Sequence, residues 1–254
     1  MRAVRVSRVA VLAAVVAIGG AGLSAFRRPD LHSEWVKYVG RGGDTVSAYL
    51  VYPERPDPGP AVIVIHEIFG LSDWVRSVAD SLAAAGFVAI APNLLTRHGG
   101  TTNADSARLV IRDLPPDSIT VDLDATQSYL QGLKAVRRDA IGVIGFCWGG
   151  SQSFRYATNN PALKAAVVCY GGAPDSTTLG RIRAPVFGVY GENDARITAA
   201  VPDVEKAMFA AGKRYTKTIY PGTGHGFLRT RQPADVAAGA WRDVIRFLET
   251  ELGK

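Results

Sequence analysis

The sequence is poor in the residues that usually carry metal or disulfide chemistry. It has only two cysteines and four histidines in 254 residues. None of the other histidines has metal-ligand spacing to His66, so we expect no metal site and a structural role for His66. Basic residues outnumber acidic ones by six. No basic run interleaved with aromatic residues accompanies this excess, so no nucleic-acid partner is expected.

Long repeats, low-complexity tracts and extended linkers are also missing beyond residue 30. The chain is 47% hydrophobic and 20% charged, with 27 glycines and 14 prolines. These fractions are those of a globular protein, which excludes disorder, collagen and a long coiled coil. The length suits a single α/β domain with a full core.

Acidic residues are absent from residues 1–25, where three arginines precede an unbroken apolar run over residues 9–18. A small, weakly polar stretch follows at 19–25. This three-part layout is typical of a secretory signal. We therefore expect residues 1–25 to be a signal peptide or an N-terminal anchor. The protein would be either exported, to the periplasm or the medium, or anchored in the membrane through residues 9–26. A membrane is expected as a partner only if this segment is retained as an anchor.

Strand-like and helical patterns alternate through the rest of the chain. Two strand patterns, at 35–39 and 46–52, flank a glycine-rich turn and predict a hairpin. Further strands are predicted at 61–66, 87–91, 140–145, 165–170, 186–190 and 215–220, and helices at 73–85, 119–136, 198–211 and 234–252. This alternation predicts one α/β domain over residues 34–254, with a mostly parallel sheet and helices on both faces.

A candidate nucleophile follows the predicted strand at 140–145. Residues 145–150 read Gly-Phe-Cys-Trp-Gly-Gly, which is the G-x-nucleophile-x-G pattern with Cys147 in the nucleophile position. Small neighbours are needed there because the backbone of the nucleophile is strained. The turn also places Cys147 at a helix N-terminus, where backbone amides favour a thiolate. The alternative is a buried structural cysteine in a glycine-rich turn.

Asp194 and His225 supply the partners that this nucleophile needs. Each follows the carboxyl end of a predicted strand, where open α/β sheets place their sites. Nucleophile, acid and histidine occur in the chain order of an α/β-hydrolase fold. We expect His225 to accept the thiol proton and later protonate the leaving oxygen, while Asp194 fixes its tautomer. Glu192 is the alternative acid.

The segment His66-Glu67-Ile68-Phe69-Gly70-Leu71 follows the first buried strand. In this fold the corresponding loop supplies the second donor of the oxyanion hole. We therefore assign the hole to the backbone N–H groups of Ile68 and Trp148. Such a donor can contribute about 3 kcal/mol in the transition state.

With these motifs in view, the chain from about residue 35 to 252 resembles the dienelactone hydrolase (carboxymethylenebutenolidase) family of α/β-hydrolases. The resemblance rests on the cysteine turn, the loop at 66–71 and the segment Gly224-His225-Gly226-Phe227. It implies the triad above and a resting state in which Glu67 gates the thiol. It also implies that Arg97 and Arg229 bind a substrate carboxylate.

The chain departs from the family pattern at three points. Asn93 stands where the family has an aspartate, Gly226 replaces a frequent serine, and the expected export is unusual. These departures bear on the substrate more than on the catalytic residues. As an alternative to gating the thiol, Glu67 would only cap its own loop by accepting hydrogen bonds from backbone N–H groups.

The expected activity is hydrolysis of an ester or lactone in a small molecule that carries a carboxylate. The reaction would pass through a thioester acyl-enzyme with no cofactor, in a monomer. One alternative is a non-catalytic binder of small anionic ligands with a blocked thiol, for example through a Cys147–Cys169 disulfide. A general carboxylesterase or thioesterase is the other.

Overall fold

The computed structural model describes residues 30–40, 43–100 and 103–254. The segment that we expect to be a signal peptide or anchor lies outside these residues, so both that expectation and the domain limits drawn from it stay predictions. Within the described ranges, no helix combines the length and apolarity needed to cross a membrane.

Eight strands form one sheet in the order β1-β2-β4-β3-β5-β6-β7-β8. The first two form an antiparallel hairpin, β2 runs antiparallel to β4, and the remaining pairs are parallel. The predicted mostly parallel sheet is thereby confirmed. The strands are β1 Leu31–Val39, β2 Thr45–Pro53, β3 Gly59–Ile65, β4 Val88–Pro92, β5 Val136–Phe146, β6 Ala165–Cys169, β7 Val186–Gly191 and β8 Tyr215–Tyr220.

Helices cover both faces of the sheet. They are α1 Asp73–Ala84, α2 Ala104–Asp113, α3 Pro116–Gly132, α4 Trp148–Asn159, α5 Ala195–Thr198, α6 Val201–Ala210, α7 Phe227–Thr230 and α8 Ala234–Leu252. One apolar cluster lies under α1 and α8, and a second lies under α2, α3, α4 and α6. Every residue of β3 is buried, and its side chains alternate between the two clusters. This explains its uninterrupted apolar sequence.

Several elements differ from the sequence prediction. The helix predicted at 119–136 is α3, which begins at Pro116 and ends at Gly132. The helix predicted at 198–211 is two helices, α5 and α6, and Pro202 lies in the first turn of the second. Proline suits that position because its missing N–H has no partner to lose there. The strand β5 begins at Val136 rather than at residue 140, because Val136 pairs with Gly59 of β3. Neither α2 nor the short helix α7 was predicted.

The sheet brings the predicted site residues to one edge. Glu67 follows β3, Cys147 follows β5, Asp194 follows β7 and His225 follows β8. All four strands run parallel. Their carboxyl ends therefore meet at the same edge of the sheet, where sites of open α/β proteins form.

Candidate active site

Cys147 occupies a strained turn between β5 and α4. Its backbone has φ 57° and ψ −118°, a region that residues with a side chain rarely adopt. The turn is too tight for larger neighbours. A Cβ on Gly145 would lie 1.9 Å from the carbonyl oxygen of Gly149, and one on Gly149 would lie 2.3 Å from that of His66. The spacing of glycines that marked this turn in the sequence thus has a steric cause.

His225 lies between Cys147 and Asp194. Its Nδ1 is 2.5 Å from Oδ2 of the buried Asp194, and Nδ1–H donates to that carboxylate. Contact with the Cys147 side chain is the largest cause that raises the pKa of His225 to about 9; partial burial opposes this, and Asp194 adds to it. Such a histidine can hold a proton beside the sulfur.

Glu192 has a different task from Asp194. Its Oε2 accepts a hydrogen bond of 2.9 Å from the backbone N–H of Gly222, in the loop that leads to His225. The imidazole bonds to Asp194 and not to Glu192. Between the two acids considered from the sequence, the geometry favours Asp194.

Glu67 is a buried carboxylate that faces Arg229. Its side chain is only 3% exposed, and its Oε2 lies 3.0 Å from Nε of Arg229. That oxygen has no hydrogen bond of good angle, so the contact is an ion pair rather than an aligned hydrogen bond. Burial raises the pKa of the Glu67 carboxyl, although Arg229 and His225 lower it. No described hydrogen bond joins this carboxylate to the Cys147 thiol or to a backbone N–H.

The two backbone donors assigned to the oxyanion hole flank the cysteine turn. Trp148 is the first residue of α4, and Ile68 lies in the loop after β3. No hydrogen bond in the described ranges uses either N–H group. Both are therefore free to donate to a reacting carbonyl oxygen.

His66 is a buried residue that packs within the loop after β3. It is fully buried, its Nδ1 lies 2.8 Å from the carbonyl oxygen of Glu67, and its ring stacks on Trp148 at 5.4 Å. Burial lowers the pKa of His66 to about 4. The imidazole is therefore neutral at pH 7 and donates from Nδ1 to the carbonyl. This agrees with the structural role expected from the sequence.

Arg97 is engaged away from the other predicted site residues. Its Nε and Nη2 donate to the buried carboxylate of Asp122 in α3, with Nε 3.0 Å from Oδ1. Its Nη1 forms an ion pair with Asp44, in the turn between β1 and β2. The structure thus brings Glu67 and Arg229 together and places the Arg97 guanidinium in a separate cluster.

Three residues, Phe69, Arg108 and Tyr170, make contacts around the site and were given no role from the sequence. Phe69 lies in the loop after β3, and two arginines approach its ring. The guanidinium carbon of Arg108 is 4.8 Å from the ring centre, and that of Arg229 is 5.1 Å from it. Tyr170, just after β6, has φ 41°, and its ring centre lies 5.2 Å from that of His225. No motif marks these contacts, because they join segments that are distant in the chain.

Both thiols are free in the structure, so Cys147 is open to reaction. Cys169 is fully buried, which raises the pKa of its thiol and makes it a core residue.

A cavity of about 280 Å³ lies between α1 and α8. Its lining includes Phe146 and Leu228 but no residue of the predicted triad. Among the described residues no group of three or more potential ligands is arranged to hold a metal ion.

Comparison with known proteins decides which family of α/β-hydrolases this is. The profile of the dienelactone hydrolase family matches residues 46–252. The chain belongs to the dienelactone hydrolase family. A relative from Methylorubrum extorquens, assigned as a carboxymethylenebutenolidase, is 33% identical over 215 residues, which are 78% of this chain and 74% of the relative.

Two further relatives extend the match over more of their own length. A Bradyrhizobium protein, assigned as a 2-oxo-3-(5-oxofuran-2-ylidene)propanoate lactonase, is 30% identical over 86% of this chain and 94% of its own. A crystal structure from Klebsiella pneumoniae, assigned as a dienelactone hydrolase, has a TM-score of 0.79 and 27% identity, and covers 86% of this chain and 98% of that one. The chain is therefore a dienelactone hydrolase-like hydrolase of ester or lactone bonds.

Proposed function

We propose that this hydrolase uses Cys147 as a nucleophile and forms a thioester acyl-enzyme. The observation that carries the proposal is the position of Cys147 in a strained turn beside His225, which Asp194 holds through Nδ1. A thiolate next to a protonated imidazole is the activated form of a cysteine nucleophile. No cofactor is needed for this chemistry.

The reaction divides into acylation and deacylation. The Cys147 sulfur attacks the ester carbonyl, and the N–H groups of Ile68 and Trp148 stabilise the resulting oxyanion. When the carbon–oxygen bond breaks, His225 donates its proton to the leaving oxygen. His225 then takes a proton from water, which attacks the thioester and releases the carboxylic acid and the thiolate. In a lactone, the leaving oxygen stays attached to the acyl group.

The proposed substrates carry a carboxylate that pairs with Arg229. The Arg229 side chain is 41% exposed, so it can face solvent and substrate, whereas its partner Glu67 is buried. A guanidinium in this position suits a planar carboxylate, which it can bind with two hydrogen bonds. The substrate carboxylate would compete with Glu67 for this cation.

That competition gives Glu67 its proposed role as a gate for the thiol. A buried anion near Cys147 and His225 disfavours a second negative charge on the sulfur. Binding of a substrate carboxylate at Arg229 changes the pairing of Glu67 and frees the thiolate. A resting thiol of this kind is protected from oxidation, because oxidation follows thiolate character and exposure.

Kinetics of cysteine variants test the proposed nucleophile. Cys147→Ala should abolish hydrolysis of a simple aryl ester while the circular dichroism spectrum and melting temperature stay close to wild type. Cys147→Ser should retain only weak activity, because the site is built for a thiolate. Cys169→Ala, which removes the other thiol, should keep activity as long as it folds. Activity of Cys147→Ala within about tenfold of wild type would refute the proposal.

The alternative of a non-catalytic binder predicts a different result. Wild-type protein would then bind carboxylate ligands, detected by calorimetry, without turning over any aryl ester or lactone. A hydrolysis screen over lactones and esters, with and without a carboxylate, separates this outcome from a general carboxylesterase, which would show no preference for the carboxylate.

We also propose export of the protein, on the charge and apolar pattern of residues 1–25. Cell fractionation followed by N-terminal sequencing tests this. A mature N-terminus near residues 21–25 outside the cytoplasm supports a cleaved signal, and the full-length chain in the membrane fraction supports an anchor. Full-length protein confined to the cytoplasm would contradict both.

A further inference from the structure

The cavity between α1 and α8 combines an aromatic lining with one charged residue. Its volume of about 280 Å³ is close to the lower end of small-molecule pockets, roughly 300–1,000 Å³. Trp74 lines it from α1, Trp241 from α8 and Phe146 from the end of β5. The rings of Trp74 and Phe146 meet edge to face at 4.8 Å. Among the described residues that line the cavity, Arg231 alone carries a charge.

The guanidinium of Arg231 is open to an anionic ligand. Its side chain forms no ion pair or hydrogen bond with the residues that the structure describes. Arg229, two residues earlier, is instead paired with Glu67. Ser77 and Ser81 also line the cavity, but their hydroxyls donate to main-chain oxygens of α1. A ligand carboxylate could therefore pair with Arg231 without displacing a carboxylate of the protein.

Arg231 occupies a backbone position that glycine usually takes. It directly follows α7 with φ 56° and ψ 41°, and its N–H donates to the carbonyl oxygen of Phe227. Glycine is common at such a helix end because it has no Cβ to restrict a positive φ. An arginine costs about 1 kcal/mol or more in this conformation. Strain of this kind often marks a functional site, and here it falls on the one charged residue of the cavity lining.

The cavity and the active site use different residues of the segment around α7. Leu228 and Arg231 line the cavity, and the lining includes no residue of the predicted triad. Arg229, between them in the chain, contacts Glu67. A ligand in the cavity therefore would not occupy the position from which Cys147 attacks an ester.

Ring contacts nevertheless connect the cavity wall to the active site. The ring centre of Phe146 lies 6.3 Å from that of Tyr170, which in turn lies 5.2 Å from that of His225. Phe146 also directly precedes Cys147 in the chain. A ligand that packs against Phe146 would thus touch the residue next to the proposed nucleophile without entering its site.

We propose that this cavity is a second binding site, separate from the active site, for a small aromatic carboxylate. The aromatic ring of the ligand packs among Trp74, Trp241 and Phe146, where apolar surface is removed from water and rings meet edge to face. The ligand carboxylate pairs with the guanidinium of Arg231 at the exposed end of the cavity.

Binding of phenylbutyrate tests the site, with phenylbutanol as the uncharged control of the same length. Both are measured by calorimetry in Arg229→Ala, which lacks the cation proposed to bind substrate carboxylates. Phenylbutyrate should bind about tenfold more tightly than phenylbutanol. Adding Arg231→Ala should remove this difference, and Arg231→Lys should keep part of it. Arg242→Ala, at an exposed position of α8 outside the cavity lining, should leave both affinities unchanged.

A filling variant and tryptophan fluorescence locate the ligand in the same background. Ala238 lines the cavity from α8, so Ala238→Phe should abolish binding of both compounds, with the melting temperature as the check on folding. Phenylbutyrate should change the tryptophan fluorescence of the protein. The double substitution Trp74→Phe with Trp241→Phe should remove that change, whereas Trp148→Phe, at the active site, should not.

Three results would overturn the second site. They are no binding of phenylbutyrate to Arg229→Ala, affinities unaffected by both Arg231→Ala and Ala238→Phe, and a fluorescence change that is lost in Trp148→Phe. The proposed nucleophile is judged separately, by the activity of Cys147→Ala on an uncharged aryl ester, so failure of one proposal leaves the other standing.

Discussion

Nδ1 of His225 lies 2.5 Å from Oδ2 of the buried Asp194, and this bond joins the loop after β7 to the loop after β8. Because Nδ1 is engaged with Asp194, Nε2 is the ring nitrogen that can exchange a proton with Cys147. Asp194→Asn should keep the fold but reduce kcat by about a thousandfold or more, because the imidazole loses the acceptor that sets its tautomer. Steady-state kinetics on an aryl ester measure the change.

Glu192 provides the matched control for that measurement. Glu192→Gln keeps the size of the side chain and an oxygen for the Gly222 N–H. It should retain kcat within about threefold of wild type. If Glu192→Gln were the more damaging of the two substitutions, the assignment of the acid to Asp194 would be wrong.

Gating by Glu67 predicts slow alkylation of the free enzyme. Cys147 should react slowly with iodoacetamide at neutral pH, and Glu67→Ala should react faster by about tenfold or more, since the nearby negative charge is gone. Succinate, a carboxylate ligand without a reactive ester, should speed alkylation of wild type and have little effect on the variant. Mass spectrometry of the Cys147 peptide follows the label.

The same experiment carries its own control. Cys169 is fully buried and should stay unlabelled in the folded protein, while Cys147→Ala gives the background. Rapid alkylation of ligand-free wild type, equal to that of Glu67→Ala, would show that Glu67 does not control the thiol.

Two histidines should change the free energy of unfolding with pH in opposite directions. The pKa of His225 is raised to about 9, so its stabilising effect is full below its unfolded value near 6.5 and is lost as pH rises through 9. The pKa of buried His66 is lowered to about 4. Its stabilising effect is present above pH 6.5 and is lost as pH falls toward 4, on the order of 3 kcal/mol.

Urea denaturation across this pH range, compared between wild type and asparagine variants, separates the two effects. His66→Asn keeps a donor for the Glu67 carbonyl and should flatten the loss of stability on the acid side. His225→Asn should remove a smaller loss on the alkaline side, since this side chain is 32% exposed and solvent screens its interactions. If the free energy of unfolding fell equally steeply below pH 6.5 in wild type and in His66→Asn, buried His66 would not be the cause of the loss.

Arg97 should matter for stability more than for substrate selection. Arg97→Ala leaves the Asp122 carboxylate buried and unpaired, and should lower the free energy of unfolding by about 3 kcal/mol. The double variant with Asp122→Asn should recover a large part of this loss. No loss of stability in the single variant would mean that the ion pair does not hold α3 to the loop after β4.

The residues of the proposed triad could be located from the sequence because each is tied to a local pattern. The glycines around Cys147 exist because the turn has no room for a Cβ, and a tight turn after a strand is visible in a short stretch of sequence. Asp194 and His225 follow strands that are short apolar or alternating runs. Since parallel strands end at one edge, their order in the chain is enough to bring these residues together.

The arginines could not be assigned in the same way, because their partners come from distant elements. Arg97 lies five residues after β4, as expected of a site residue, yet Asp122 in α3 binds its guanidinium. Arg108 lies in a helix that shows no motif, and its contact with Phe69 depends on how α2 packs against the loop after β3. Charge and spacing alone do not distinguish a guanidinium held by a buried acid from one that faces the substrate.

Trapping the acyl-enzyme tests Cys147 as the nucleophile. Wild-type protein is mixed with the nitrophenyl monoester of glutaric acid, quenched in acid during turnover and examined by intact mass and peptide mapping. We expect one glutaryl group on Cys147, released by hydroxylamine at neutral pH and absent from Cys147→Ala. An acyl group on another residue, such as Ser151 in the first turn of α4, or turnover with a burst of nitrophenol and no adduct on Cys147, would contradict Cys147 as the nucleophile.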